Sequence, residues 1–395
     1  MPAIAREASW LMSAGEHDAD LAALRSKAAP ALDWGQLIAR AEYERAFPIV
    51  ADRLRDASVE LPDAVAAQLR SRAMVAEFAI GRLHATLDQV VATFASADIQ
   101  VILLKGAALS RTRYPSRRLR PMGDLDLLVK PEALRRAYEL LRAAGWQVRH
   151  DPGLEEFYDG HHHLAPMHDP RGAGAKLELH RDLFFAGHPF AFGAADVWRD
   201  AQPAPIAGAT AWVPSAEHLL LHCCIHFAWG HLMREGAWTT FRDVGVLSRA
   251  PDLDWERFAD AAIAARAATA CYWTMLLAHR LMRAEVPAPV LERLAPSLPA
   301  ALLERLARHF AARILGAPPA PSRIAHAIWE LAMRPARCGH GAVRPWDHDD
   351  DFVPSEAAAH ETAESARDRA RRHWKELQES TRCLADLALG RGAID

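Results

Sequence analysis

The chain has no hydrophobic run of about 18 residues, so no transmembrane helix is expected. Its first residues, MPAIAREASW, lack a basic stretch followed by an apolar core, so no secretory signal is expected either. Cysteine is scarce: Cys223, Cys224, Cys271, Cys338 and Cys383 form an odd set with no CxxC pair. That pattern suits neither a disulfide framework nor a zinc knuckle, and it points to a reducing, cytoplasmic compartment. No charge of one sign dominates, since 47 Lys and Arg face 50 Asp and Glu for a net −3. A protein that coats nucleic acid would carry a strong positive excess, so that class is set aside, although a local basic groove is allowed. Lysine is rarer still, found only at positions 27, 105, 130, 176 and 375. Arginine is the default cation here, which draws attention to Lys105.

What remains is the composition of an ordinary globular protein, 51% hydrophobic and 25% charged over 395 residues. That length suits two or three domains. Residues 1–98 read as helical: Asp33–Arg55 places apolar residues at three- and four-residue spacings, with Pro48 able to open a new helix. A longer amphipathic pattern runs from Pro62 to Phe94. The texture changes at Asp98, and strands are expected at 99–106, 124–129 and 146–150, with a helix over 131–145. A short helix is expected from Ala107 to Arg113, and a hairpin pairs 161–168 with 176–183 across PRGAGA. Helical patterning returns over 214–334, a Pro/Gly/Asp-rich linker is expected over 335–354, and a last helix over 355–395. The fold class is therefore α+β: a small mixed sheet over 99–213 flanked by N- and C-terminal helical regions.

The chemistry-bearing residues gather in that middle part. In a strand, positions i and i+2 share a face, so Asp124 and Asp126 set two carboxylates side by side at the entrance to an apolar strand. Two such charges repel unless one is protonated or a cation lies between them, and a hard divalent ion such as Mg²⁺ suits oxygen ligands. Glu178, in KLELH, can bring a third carboxylate on a neighbouring strand. Three carboxylates can hold two metals ~4 Å apart for in-line displacement at phosphorus. LLKGAAL supplies a strand–glycine–helix turn whose backbone N–H groups attract anions, with Lys105 as a point charge and Gly106 permitting close approach. Arg117, Arg118 and Arg120 precede the acid pair and can neutralise phosphate.

Histidine offers a rival chemistry. His222 and His226 stand at i and i+4 on an expected helix, with His231 nearby, Asp243 downstream and His161, His162 and His163 in reserve, a spacing compatible with zinc. HCCIH lacks the glutamate of a zinc-protease helix, and histidines on a half-apolar helix are more often packed than ligating.

The string LLKGAALSRTRYPSRRLRPMGDLDLLV (103–129) resembles the polymerase-β-like nucleotidyltransferases, above all a bacterial group of uncharacterised nucleotidyltransferases. The likeness extends over roughly 30–285, through Asp33-Trp34, the Pro214–His226 segment and Arg242-Asp243. It implies a two-metal Mg²⁺ site on Asp124, Asp126 and Glu178, and an NTP donor, with ATP the first choice. It implies that Lys105, Gly106, Arg120 and His180 contact the nucleotide or orient the carboxylates. The implied reaction moves a nucleoside monophosphate to a hydroxyl of a small molecule, peptide or protein. Stable nucleic-acid or membrane partners are not expected. The sequence departs from the superfamily at Gly106-Ala107, where Gly-Ser or Gly-Gly is usual, and at Glu178, where Asp is usual. The other readings are a catalytically silent, antitoxin-like binding protein and a zinc hydrolase using His222 and His226.

Overall fold

The computed structural model describes residues 6–28, 32–148, 158, 160–171, 175–316 and 323–333. The linker expected over 335–354 and the helix expected over 355–395 lie outside these residues. Five helices come first: α1 (Arg6–Gly15), α2 (Leu21–Ala28), α3 (Trp34–Tyr43), α4 (Phe47–Asp56) and α5 (Asp63–Ser96). Asp33 caps α3 by accepting from the Gln36 amide, and Pro48 sits in the first turn of α4, where its missing N–H costs nothing.

The strands follow as β1 (Val101–Leu103), β2 (Asp124–Val129), β3 (Gln147–Val148), β4 (Met167–His168), β5 (Lys176–His180), β6 (Gln202–Ile206) and β7 (Ala209–Val213). Between β1 and β2 lie α6 (Lys105–Thr112) and a 3-10 turn at Arg117–Leu119; α7 (Pro131–Ala143) follows β2, and α8 (Ala194–Arg199) precedes β6. Together they make one seven-stranded sheet of order β3-β4-β5-β2-β1-β7-β6. β2 is antiparallel to β1 and parallel to β5, which places it at the centre. Its Leu125, Leu127, Leu128 and Val129 are fully buried, and α5, α6 and α7 all pack against it.

Two differences from the expectation have local causes. The expected hairpin is narrower: only Met167 and His168 pair as a strand with β5, and a single bridge joins His163 to His180. The β6–β7 hairpin was not expected at all. β6 carries Pro203 and Pro205, which read as strand breakers, but it is an edge strand, where a missing amide is tolerated. Its two-residue turn places both Ala207 and Gly208 at positive φ, 50° and 79°, so an alanine stands where asparagine would have announced the turn.

The C-terminal part is helical: α9 (Ala216–Ile225), a π-helical turn (His226–Gly230), α10 (Ala237–Leu247), α11 (Trp255–Ala264), α12 (Ala268–Met282), α13 (Ala288–Leu294), α14 (Ala300–Leu315) and α15 (Arg323–Ala332). One continuous apolar core joins all three parts, running from Trp10 and Leu11 through the strands to Trp238, Trp273 and Trp329. Two of the largest buried indoles make hydrogen bonds across this core: Trp238 donates to the Leu11 carbonyl at 2.9 Å and Trp273 to that of Ala332 at 2.8 Å. Among the described residues no helix is long and apolar enough to cross a membrane.

Candidate active site

Alternation along β2 puts Asp124 and Asp126 on the face opposite Leu125 and Leu127. The parallel register with β5 then sets Asp126 directly beside Glu178, and Asp124 beside Lys176. Asp126 and Glu178 are buried, 4% and 8% exposed, whereas the Asp124 side chain, 41% exposed, stands at the rim. Carboxylates this deep need compensation. Lys105 Nζ lies 3.1 Å from Asp126 Oδ1, and Lys176 Nζ lies 2.7 Å from Glu178 Oε1 and 3.8 Å from Asp124. Two of the chain's few lysines thus serve one cluster.

His180, two residues after Glu178 on the same face of β5, completes the group. Its Nε2 is 3.0 Å from Asp126 Oδ1 and 3.6 Å from Glu178 Oε2. Burial alone lowers a histidine's pKa, but the hydrogen bonds to these two carboxylates outweigh it and raise that of His180. Burial works against ionised Asp126 as well, yet Lys105 and His180 hold it well below the usual range. For Glu178 the His180 hydrogen bond overcomes burial and lowers the pKa to about 2. Asp124 moves the other way, raised by burial and by the charge on Asp126, so a proton entering the pair goes first to the rim.

Lys105 begins α6 with φ of 43°, a left-handed conformation unusual for a side chain of this size, at the point where β1 hands over to the helix. Gly106 follows because there is no room for more: a Cβ there would sit 3.1 Å from both Arg120 Nη1 and Met122 Cβ. These residues form one wall of a cavity of about 430 Å³, lined by Lys105, Gly106, Arg120, Asp124 and Asp126. The opposite wall comes from α9, the π-helical turn and α10, through His222, His226, His231 and Asp243. Single π-helical turns recur at functional sites, and this one sets His226 into the cleft. Burial lowers the pKa of His222 to about 3 and that of His226 well below its ordinary value, which favours the neutral form of both rings.

The seven site residues that the resemblance implied converge at this end of the sheet, whereas Arg118, also offered as a phosphate partner, pairs with Asp52 and Glu77 instead. Arg120 has a specific engagement: its guanidinium binds Asp243 in a fork, Nε to Oδ1 at 2.7 Å and Nη2 to Oδ2 at 2.8 Å, while Tyr114 donates to the same Oδ1 at 2.7 Å. It builds the cleft by tying its two walls together. His222 and His226 do not make a separate centre. Among the described residues the gathered ligand atoms belong to Asp126–Glu178–His180 and to His161–His162–His163. Sequence reasoning gave Lys176 no role and held His163 only in reserve as a zinc ligand. The first was findable as the i−2 neighbour of Glu178. The role of the second follows from the expected pairing of 161–168 with 176–183, whose exact register, bridging His163 to His180, the sequence leaves open.

A family model described as "uncharacterised nucleotidyltransferase" matches residues 30–283, the span that holds every residue of this site. No curated protein and no solved structure matches the chain.

Proposed function

Because the chain belongs to the uncharacterised nucleotidyltransferase family, we propose that it moves a nucleoside monophosphate from an NTP, ATP being the first candidate, to a hydroxyl of a small molecule, peptide or protein. The acceptor oxygen attacks the α-phosphorus, the bond from that phosphorus to the β-bridging oxygen breaks, and pyrophosphate leaves. The observation that carries this reading is the register that sets Asp126 beside Glu178 with Asp124 on the same face. Three oxygen donors from two adjacent strands fit Mg²⁺ and would hold it at the cavity floor. Bound there, Mg²⁺ supplies charge neutralisation for the triphosphate and acidifies an adjacent hydroxyl.

The chain's own residues do the remainder. Lys105 meets the triphosphate as a compact cation, and the first turn of α6 offers its backbone amides beside it. Glu178, held ionised, serves as a ligand, and Asp124 is the carboxylate readier to take the acceptor's proton. Arg120 fixes the cleft wall through Asp243. The neutral face of His222 and His226 borders the space left for the acceptor.

The test is label transfer from each of the four α-labelled NTPs, with Mg²⁺ and a fractionated pool of hydroxyl-bearing metabolites and peptides. Wild type is expected to label one fraction. Asp126→Asn, with its fold checked by circular dichroism, should lose ~10³-fold or more of that rate. The rim variant Asp124→Asn, which disturbs no packing, should fall with it. Full transfer by both variants refutes the assignment.

A further inference from the structure

Two imidazoles converge on the carboxylates in a way that oxygen-only chemistry does not require. His180 Nε2 faces Asp126 Oδ1 at 3.0 Å and Glu178 Oε2 at 3.6 Å, and His163 Nε2 faces the same Glu178 Oε2 at 3.8 Å. Each ring is steadied from behind by a backbone carbonyl: His163 Nδ1 by Leu164 O at 2.8 Å and His180 Nδ1 by Asp182 O at 3.3 Å. A carbonyl only accepts, so each Nδ1 carries a proton and Nε2 is the atom left facing the acids; a cation bound there would take the place of the proton through which His180 Nε2 meets Asp126. A ring whose far nitrogen donates to a carbonyl while its near nitrogen faces carboxylates has the orientation of a metal-ligating histidine.

The backbone builds this arrangement deliberately. Glu178 and His180 share a face of β5, and the bridge that pairs His163 with His180 brings the second imidazole across. That bridge is pinned on both sides, by Leu164 N donating to Leu179 O at 2.9 Å and Arg181 N donating to His162 O at 2.8 Å. The rings of His161 and His162 lie 4.4 and 4.7 Å from that of His163, centroid to centroid, and pack around the position. One ligand atom each from Asp126, Glu178 and His180 already falls within 4.8 Å of the others.

We infer that Asp126, Glu178, His163 and His180 form a mixed nitrogen–oxygen position that takes a first-row transition ion, Mn²⁺ before Mg²⁺. Magnesium holds to oxygen ligands and near-ideal octahedral geometry, whereas imidazole suits the transition ions. The inference rests on the carboxylate-held cation of the proposed function and names which cation that is. On loading, Lys105, 3.1 Å from the shared Asp126 Oδ1, gives up that contact and turns to the cleft, where phosphate would meet it.

The test needs no nucleotide and no acceptor. Full-length protein is stripped with a chelator, loaded with Mn²⁺ below one equivalent, and examined by pulsed electron paramagnetic resonance. The expected result is modulation from directly bound imidazole nitrogen, with Mg²⁺ a poor competitor in a titration. His180→Gln and His163→Gln should each weaken Mn²⁺ on the order of tenfold or more and remove part of the nitrogen signal. Mn²⁺ bound with no nitrogen modulation overturns the inference, as does no Mn²⁺ binding or equal competition by Mg²⁺. These readouts come from the wild type, so a variant that misfolds does not blur them. Label transfer with Mg²⁺ but no nitrogen signal refutes the imidazole site alone. Nitrogen-ligated Mn²⁺ in a protein that transfers nothing refutes the transferase reading alone.

Discussion

At the residue scale, the partner a histidine meets on burial decides which way its pKa moves. His180 lies against two carboxylates and gains a proton's worth of affinity from them; His84 on α5 is only 3% exposed and has no such partner. Burial first, then the charges of Arg111 and Arg117, lower the pKa of His84 to about 4. Neither of its ring nitrogens has a hydrogen-bond partner among the described residues. The two residues therefore bend the stability curve in opposite directions. A raised pKa, as at His180, adds stability that is full below about pH 6.5 and fades as pH rises through the folded value. A depressed pKa, as at His84, adds stability that is full above about 6.5 and is lost as pH falls toward 4. On this account His84 costs the native state about 2 kcal/mol between pH 8 and pH 5, and His84→Leu should shrink the acid loss of unfolding free energy by that amount in urea titrations at the two pH values. An unchanged pH difference in the variant would show that His84 titrates normally. The clustered acids were legible at this scale because a strand's period of two is rigid. Lys176 obeys the same period and could have been read with them. His163 could not, since its place depends on a bridge between segments whose register the sequence leaves open.

At the scale of elements, the cleft is held open by a link between the turn before β2 and helix α10. Arg120 and Asp243 are both largely buried, 12% and 3% exposed at their side chains, and Tyr114 shares the same carboxylate. Removing one member strands a buried charge, at a cost of about 3–5 kcal/mol. A double-mutant cycle with Arg120→Ala and Asp243→Ala should therefore show strong coupling, the double variant losing clearly less than the sum of the singles. Additive losses would mean that the fork contributes nothing to holding the walls. Both residues were visible beforehand, Arg120 as a phosphate candidate and Asp243 as the end of an RD pair, but their meeting across 123 positions was not. The β6–β7 hairpin was missed for a different reason. Its turn hides a left-handed alanine, and its prolines are harmless only because the strand lies at the sheet edge.

At the scale of the whole molecule, the expected order of helices, sheet and helices is correct, and the three parts close into one body. Trp238 of α10 donates to the Leu11 carbonyl of α1, and Arg40 of α3 donates to the Leu315 carbonyl of α14 at 2.9 Å. That closure sets α9 and the π-helical turn over the carboxylates and makes a cleft out of a sheet end. It is invisible in a linear pattern, because helical amphipathicity states that a face is buried without naming what buries it.

Because one core runs through the chain, a ligand bound at the cleft should stabilise all of it. The most direct measurement is a melting scan of wild type and Asp126→Asn against ATP, GTP, CTP and UTP, with and without divalent cation. A nucleotide at ~100 times its dissociation constant adds about 2.7 kcal/mol to the native state. The expected result is a rise in melting temperature with at least one NTP that requires the cation and disappears in Asp126→Asn. An equal rise in both proteins, or none with any nucleotide, would contradict it.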